Sequence, residues 1–149
     1  MATTLNLYDQ WRDTVADPAR AAAVAGTLKC AIVAAAYAPD QNLHDFFNDI
    51  TNEVSGTGYT AGGNACAAPT WSGPDGAGLL TFDASDPATW TQNAAGFSNG
   101  RRAIFYYDTG VASTSRLVGY TNDFGADSGN VAGDFSVALN AAGIYTSAR

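Results

Sequence analysis

Arg101-Arg102-Ala103-Ile104-Phe105-Tyr106-Tyr107 is the stretch that decides the fold class. Successive side chains of an extended chain point to opposite faces. From Ala103 to Tyr107 both alternating sets are apolar. That pattern predicts a central strand covered on both sides. Outward from it, short apolar or alternating runs recur at Ala67–Trp71, Leu79–Phe82, Leu117–Tyr120 and Phe135–Leu139. The separators are turn-rich: SGPDGAG, DASDPAT, AAGFSNG, DTGVASTS, DFGADSGN and NAAG. In FSVAL, Phe135, Val137 and Leu139 alternate, as in a strand with one buried face. Short strands punctuated in this way predict an antiparallel β-sandwich or a jelly-roll-like barrel.

Toward the N-terminus the text changes. Leu28 to Tyr37 (LKCAIVAAAY) reads as a further buried strand, closed by Pro39-Asp40. Asn42 to Ile50 places Leu43, Phe46, Phe47 and Ile50 at helical spacing and predicts a short helix. Leu7, Trp11 and Val15 share that spacing, as do Tyr8 and Arg12. Asp17-Pro18 then reads as a cap and first position for an alanine-rich second helix over 19–25, ended by Gly26. The expected organisation is an N-terminal helical arm over residues 1–26 and one β-rich domain over 27–149. The apolar stripe of the arm must bury against this chain or another.

Composition narrows function. The chain has 149 residues, a formal charge of −7 and only 14% charged positions, against about 25% in an average protein. Lys29 is the only lysine, Glu53 the only glutamate and His44 the only histidine. A negative, lysine-poor chain lacks the footprint for nucleic acid. No apolar run reaches the length of a membrane span, and the first residues lack the order of a signal peptide. A soluble protein of a reducing cytoplasm is the expectation. Cys30 and Cys66 sit in apolar surroundings and read as buried thiols, with a bridge between them left open.

The chemical inventory assembles no active site and calls for no cofactor. Ser55 to Gly63 (SGTGYTAGG) lacks the GxGxxG register and the Lys-Ser/Thr of a phosphate loop, so it reads as a glycine-rich turn. His44-Asp45 point about 100° apart on a helix and form no dyad. Asp83 with Asp86, and Asp123 with Asp127, flank turns without EF-hand spacing. Trp11, Trp71 and Trp90 read as core or interface anchors more readily than as a sugar platform. Arg101 and Arg102 open the strand and are expected to make one ion pair, either with an internal aspartate or with an acidic neighbour on a partner, with a solvated strand end as the alternative.

Leu28 to Gly63 (LKCAIVAAAYAPDQNLHDFFNDITNEVSGTGYTAGG) resembles a family of tailed-bacteriophage virion proteins. The similarity continues collinearly through Phe82-Asp83-Ala84, Trp90 and Arg102-Ala103-Ile104-Phe105-Tyr106. It resumes at Asp108-Thr109-Gly110, Leu117-Val118-Gly119-Tyr120, Asp123-Phe124-Gly125 and Asn140 to Ile144, covering about four-fifths of the chain. The 18–26 segment and the two cysteines depart from the family pattern. The resemblance implies a non-enzymatic capsid decoration (cement) protein that binds the major capsid protein and forms a homotrimer on the virion surface. The alternatives are a neck or tail component (connector, tail tube or tail tip) and a carbohydrate- or receptor-binding module. Under this reading Leu5, Leu7, Tyr8 and Trp11, with Arg101 and Arg102, are the expected partner-contacting residues. Asp9 and Asp13 are expected to meet basic shell residues.

Overall fold

The computed structural model describes residues 2–3, 5–9, 11, 26–72 and 79–148. Its described part is mainly β, with antiparallel sheets. The strands are β1 (Ala2–Thr3), β2 (Leu5–Leu7), β3 (Thr27–Ala34), β4 (Asn64–Ala65), β5 (Thr70–Ser72), β6 (Leu79–Asp83), β7 (Gly100–Asp108), β8 (Leu117–Thr121), β9 (Ala138–Leu139) and β10 (Tyr145–Ala148). A five-stranded sheet has the order β2-β8-β7-β3-β4, and a three-stranded sheet the order β10-β6-β5. Every pairing in both sheets is antiparallel, whereas the short pair β1-β9 is parallel.

The centre of the large sheet follows the sequence pattern. Ala103, Phe105 and Tyr107 of β7 enter one apolar cluster, while Ile104 and Tyr106 enter a second. On β3, Leu28, Cys30 and Ile32 join the first cluster, and Ala31 and Val33 the second. The first cluster is shared with the three-stranded sheet, since it also takes in Phe82, Trp71 and Tyr145. The second lies on the opposite face of the large sheet, where Tyr37, Phe47 and Ile50 cover it. A strand whose two faces are both buried can dispense with polar side chains, and β7 does so from Ala103 to Tyr107.

The N-terminus departs from expectation. Leu5 to Leu7 is an edge strand, with Leu5 opposite Thr121 and Leu7 opposite Gly119, rather than the start of a helix. Leu5, Leu7, Tyr8 and Trp11 are 9%, 8%, 0% and 0% exposed, so their burial is met within this chain. Spacing of two, Leu5 to Leu7, fits an edge strand as well as spacing of four fits a helix, and pairing with β8 decides between them. Ala2–Thr3 and Leu5–Leu7 are thus part of the β structure, whereas Asp9 and Trp11 are helical. Val15, Asp13 and the helix expected over 19–25 lie outside the described residues.

The helix expected over 42–50 shrinks to one 3-10 turn, Phe47–Asp49. Its carboxylate, Asp49, accepts from the backbone N–H groups of Asp45 and Phe46. The supposed apolar stripe divides: Leu43 is 74% exposed, whereas Phe47 stacks on Tyr106 with centroids 4.0 Å apart. Of the run 135–139 only Ala138–Leu139 is strand, and Phe135 makes an isolated bridge to Trp90.

Candidate functional site

The glycine-rich segment 55–63 packs onto β3 and β7 and shapes a cavity there. Tyr59 donates its hydroxyl to Glu53 Oε1 at 2.7 Å and accepts the Ile32 N–H at 2.9 Å. The Gly62 N–H donates to the same Glu53 oxygen at 2.6 Å, and Tyr106 donates its hydroxyl to the Gly62 carbonyl at 2.8 Å. Gly63 has φ +73°, and a Cβ there would lie 1.8 Å from the Cys30 carbonyl oxygen. Only glycine permits that backbone approach. SGTGYTAGG thus acts as a turn: Tyr59, Gly62 and Gly63 hold it to the sheet, while Gly56 and Thr57 lie against the 95–97 loop.

Beside this segment a cavity of about 240 Å³ is bounded by Phe47, Glu53, Gly62, Tyr106, Asp108 and Ser115. Lys29 Nζ lies 2.6 Å from Asp108 Oδ2. That contact, then the Gly110 N–H, holds the Asp108 carboxyl below its ordinary value. Burial pushes the Tyr106 phenol above its ordinary value, and the carboxylates of Asp108 and Glu53 push the same way. The phenol is therefore a neutral hydrogen-bond donor and not a base. Ser115 is fully buried, and its hydroxyl donates to the Val111 carbonyl at 2.9 Å while accepting the Thr109 N–H at 3.0 Å. The chain's only glutamate lines this cavity, and its only lysine is bound to Asp108 on the cavity's edge. Sequence reading did not join them to Asp108, because they sit on separate elements. Their uniqueness in the composition was the available signal.

The other expected site residues fall elsewhere. Arg101 donates from Nε to Asp123 Oδ1 at 2.9 Å and also reaches Asp127 at 3.4 Å. Arg102 Nη2 lies 3.5 Å from Asp123 Oδ2. Adjacent strand residues should face opposite sides, yet both arginines reach one carboxylate. The β3–β7 register explains it: Val33 faces Arg102 and Ala34 faces Gly100, so Arg101 is an extra, bulged residue. Both arginines thus pair within the chain, the internal form of the expected ion pair. The Gly125 N–H, then Arg101, holds the Asp123 carboxyl below its ordinary value.

His44 Nδ1 accepts from the Asp40 N–H at 3.3 Å, so Tyr37 donates its hydroxyl to the same nitrogen at 2.9 Å. Tyr8 in turn donates to Tyr37 at 2.9 Å. Burial raises the Tyr8 phenol and pushes that of Tyr37 up to about 12. Cys30 and Cys66 are free and buried, which closes the question of a bridge in this structure. Burial raises both thiols, that of Cys66 to about 12, so neither is a ready nucleophile. Trp11 and Trp90 are 0% and 1% exposed and offer no face to a sugar, while Trp71 is half-buried against Phe82. Asp83 and Asp86 accept the backbone N–H groups of Ala84 and Leu139. Among the described residues no group of three or more His, Cys, Asp or Glu side chains is placed to hold a metal ion. No helix among them is long and apolar enough to cross a membrane.

No family model, curated protein or solved structure matches this chain.

Proposed function

We propose that this chain is a non-enzymatic structural protein of a tailed-bacteriophage particle, a cement protein that decorates the outer surface of the major capsid protein shell. The observation that carries the reading is the collinear resemblance running from Leu28 to Ile144, with SGTGYTAGG its most specific part. The geometry supports it in two ways. The residues of that segment act as scaffold, binding the 53–63 stretch to β3 and β7. The ionic side chains of the large sheet bond to one another across strands and loops, as Lys29 does with Asp108 and Arg101 with Asp123.

The two sheets sharing one apolar cluster are read as a sandwich rather than a closed barrel. On this reading the protein is made in the host cytoplasm, assembles as a homotrimer and binds protein neighbours. Nucleic acid and membranes are not among its partners, in keeping with a charge of −7. Locating the protein in purified particles tests the proposal. Many copies on tail-less heads are expected. Presence only as an axial ring, or only in tails, would overturn the shell assignment in favour of a neck or tail component. Light scattering of the purified protein tests the trimer, and a monomer at micromolar concentration would refute it.

A further inference from the structure

We infer that Cys30 and Cys66 form a latent disulfide, a bond that closes on oxidation by a peroxide and is reopened by small thiols. The inference is independent of the shell reading. The chain has two cysteines, and the fold sets them side by side. On the antiparallel pair β3-β4, Lys29 lies opposite Ala65 and Cys30 opposite Asn64. Cys66 continues that register, since its N–H donates to the Leu28 carbonyl at 2.8 Å. It is therefore one diagonal step from Cys30, on the same face. Both side chains are buried in one apolar cluster. Burial raises the Cys30 thiol, and the nearness of Cys66 raises it further.

Diagonal neighbours on adjacent strands lie about 7–8 Å apart, just beyond the roughly 4.4–6.8 Å between the Cα atoms of a disulfide. That gap is in keeping with two free thiols, and a shift of about 1–2 Å closes it. The segment that carries Cys66 can make the shift. β4 has two residues and ends the five-stranded sheet. The outer neighbour of Cys66 is Pro87, which has no N–H to donate to a ladder. Two residues further on, Ala68 is held at φ +48°, a strained setting for alanine. Ala67, Ala68 and Pro69 are exposed, so this stretch moves through solvent.

The chemistry needs only hydrogen peroxide, which enters when the edge opens. The Cys66 sulfur attacks one peroxide oxygen, the O–O bond breaks and water leaves, giving a sulfenic acid. The Cys30 sulfur then attacks the Cys66 sulfur. The S–O bond breaks, the S–S bond forms and a second water carries off the remaining thiol proton. Two thiols and one hydrogen peroxide thus become one disulfide and two waters. Burial keeps both thiols protonated, so closure is slow and follows opening of the edge. A bond closed under strain is more easily reduced than a relaxed structural disulfide. While closed, it fastens β4, and with it the glycine-rich segment 55–63, covalently to β3.

The test is a time course of the full, folded chain with hydrogen peroxide. Remaining thiols are alkylated in urea and the intact mass is read without reductant. The expected product is a monomer that has lost two hydrogen atoms and takes up no alkylating agent. Millimolar glutathione should restore both thiols. Moving one thiol by a single position, with Cys66→Ala and Ala65→Cys together, turns it to the other face and should cut the yield of bridged monomer at least about tenfold. Circular dichroism establishes that this variant is folded before it is oxidised, and wild type oxidised in urea gives the yield without a fold. Oxygen adducts or linked chains in place of the bridged monomer overturn the inference. So do thiols that stay free in the folded chain yet bridge in urea, equal bridging by the folded shifted variant, or a bond that glutathione leaves intact.

Discussion

Replacing Trp11 by alanine tests whether the N-terminal segment is core or contact surface. Trp11 is 0% exposed and touches three aromatic rings: Tyr107 at 5.5 Å, Phe82 at 5.8 Å and Trp71 at 6.0 Å between centroids. Truncating a buried aromatic residue to alanine costs about 3–5 kcal/mol. One feature lowers that figure: the buried Trp11 Nε1–H has no hydrogen-bond partner among the described residues. Removing an unsatisfied donor returns about 1 kcal/mol, the low end of the penalty for such a group. The expected loss is therefore about 2–4 kcal/mol. Trp11→Phe keeps a ring against Tyr107 and sheds the orphan N–H, so it should cost under about 1.5 kcal/mol. Urea unfolding followed by far-ultraviolet circular dichroism, with free energies extrapolated to water, measures both. Loss of less than about 1 kcal/mol in Trp11→Ala at unchanged slope would refute the reasoning. The segment would then be a dispensable arm of the kind its helical spacing suggests.

Gly63→Ala should cost at least about 3 kcal/mol in the same assay, because φ is +73° and the new Cβ meets the Cys30 carbonyl. Gly110→Ala, at φ +86° in open space, should cost only about 1 kcal/mol. Tyr37→Phe leaves the buried Tyr8 hydroxyl without its acceptor and should cost about 1–3 kcal/mol. The double variant with Tyr8→Phe should lose less than the sum of the single variants, as read by calorimetry. Asp123 has a lowered carboxyl, so its contribution is complete above the ordinary value of 3.8 and is lost as pH falls through the lowered one. Asp123→Asn should therefore be less stable at neutral pH and show a flatter acid limb below pH 3.8. Parallel stability–pH curves for wild type and variant would contradict this.

The strands legible in the sequence are those whose own pattern settles them. Thr27–Ala34, Leu79–Asp83, Gly100–Asp108 and Leu117–Thr121 fall where the apolar runs put them, because burial on one or both faces leaves a local signature. Short segments carry no such surplus. Leu5-Asn6-Leu7 satisfies both periods, and its state is set by β8, more than a hundred residues away. Leu43, Phe46, Phe47 and Ile50 have helical spacing, but Phe46 bridges to Arg116 and Phe47 lies on Tyr106 instead of sharing a stripe. The shared carboxylate of Arg101 and Arg102 depends on a bulge, which strand alternation cannot foresee. The cavity was illegible for a related reason. Lys29, Glu53 and Asp108 come from β3, the loop before β4 and the end of β7, and only the pairing of Thr27 with Asp108 brings the first and last together.

The edge strand Leu5–Leu7 also sets a schedule. Its partners are Thr121, Tyr120 and Gly119, and β1 pairs with Ala138 and Leu139. At about 5–20 residues per second, a ribosome takes roughly 6–27 seconds between making these strands and making their partners. The first strands synthesised are therefore among the last to be seated. Until then Tyr8 and Trp11 lack the ring partners Tyr120 and Tyr107, and the outer edge of β8, once made, stands open. Pairings this distant in sequence slow folding, since the loop must close before the contacts reward it. At high expression an open β8 edge can also take the N-terminal strand of a neighbouring chain, so strand exchange is the characteristic misassembly this topology invites.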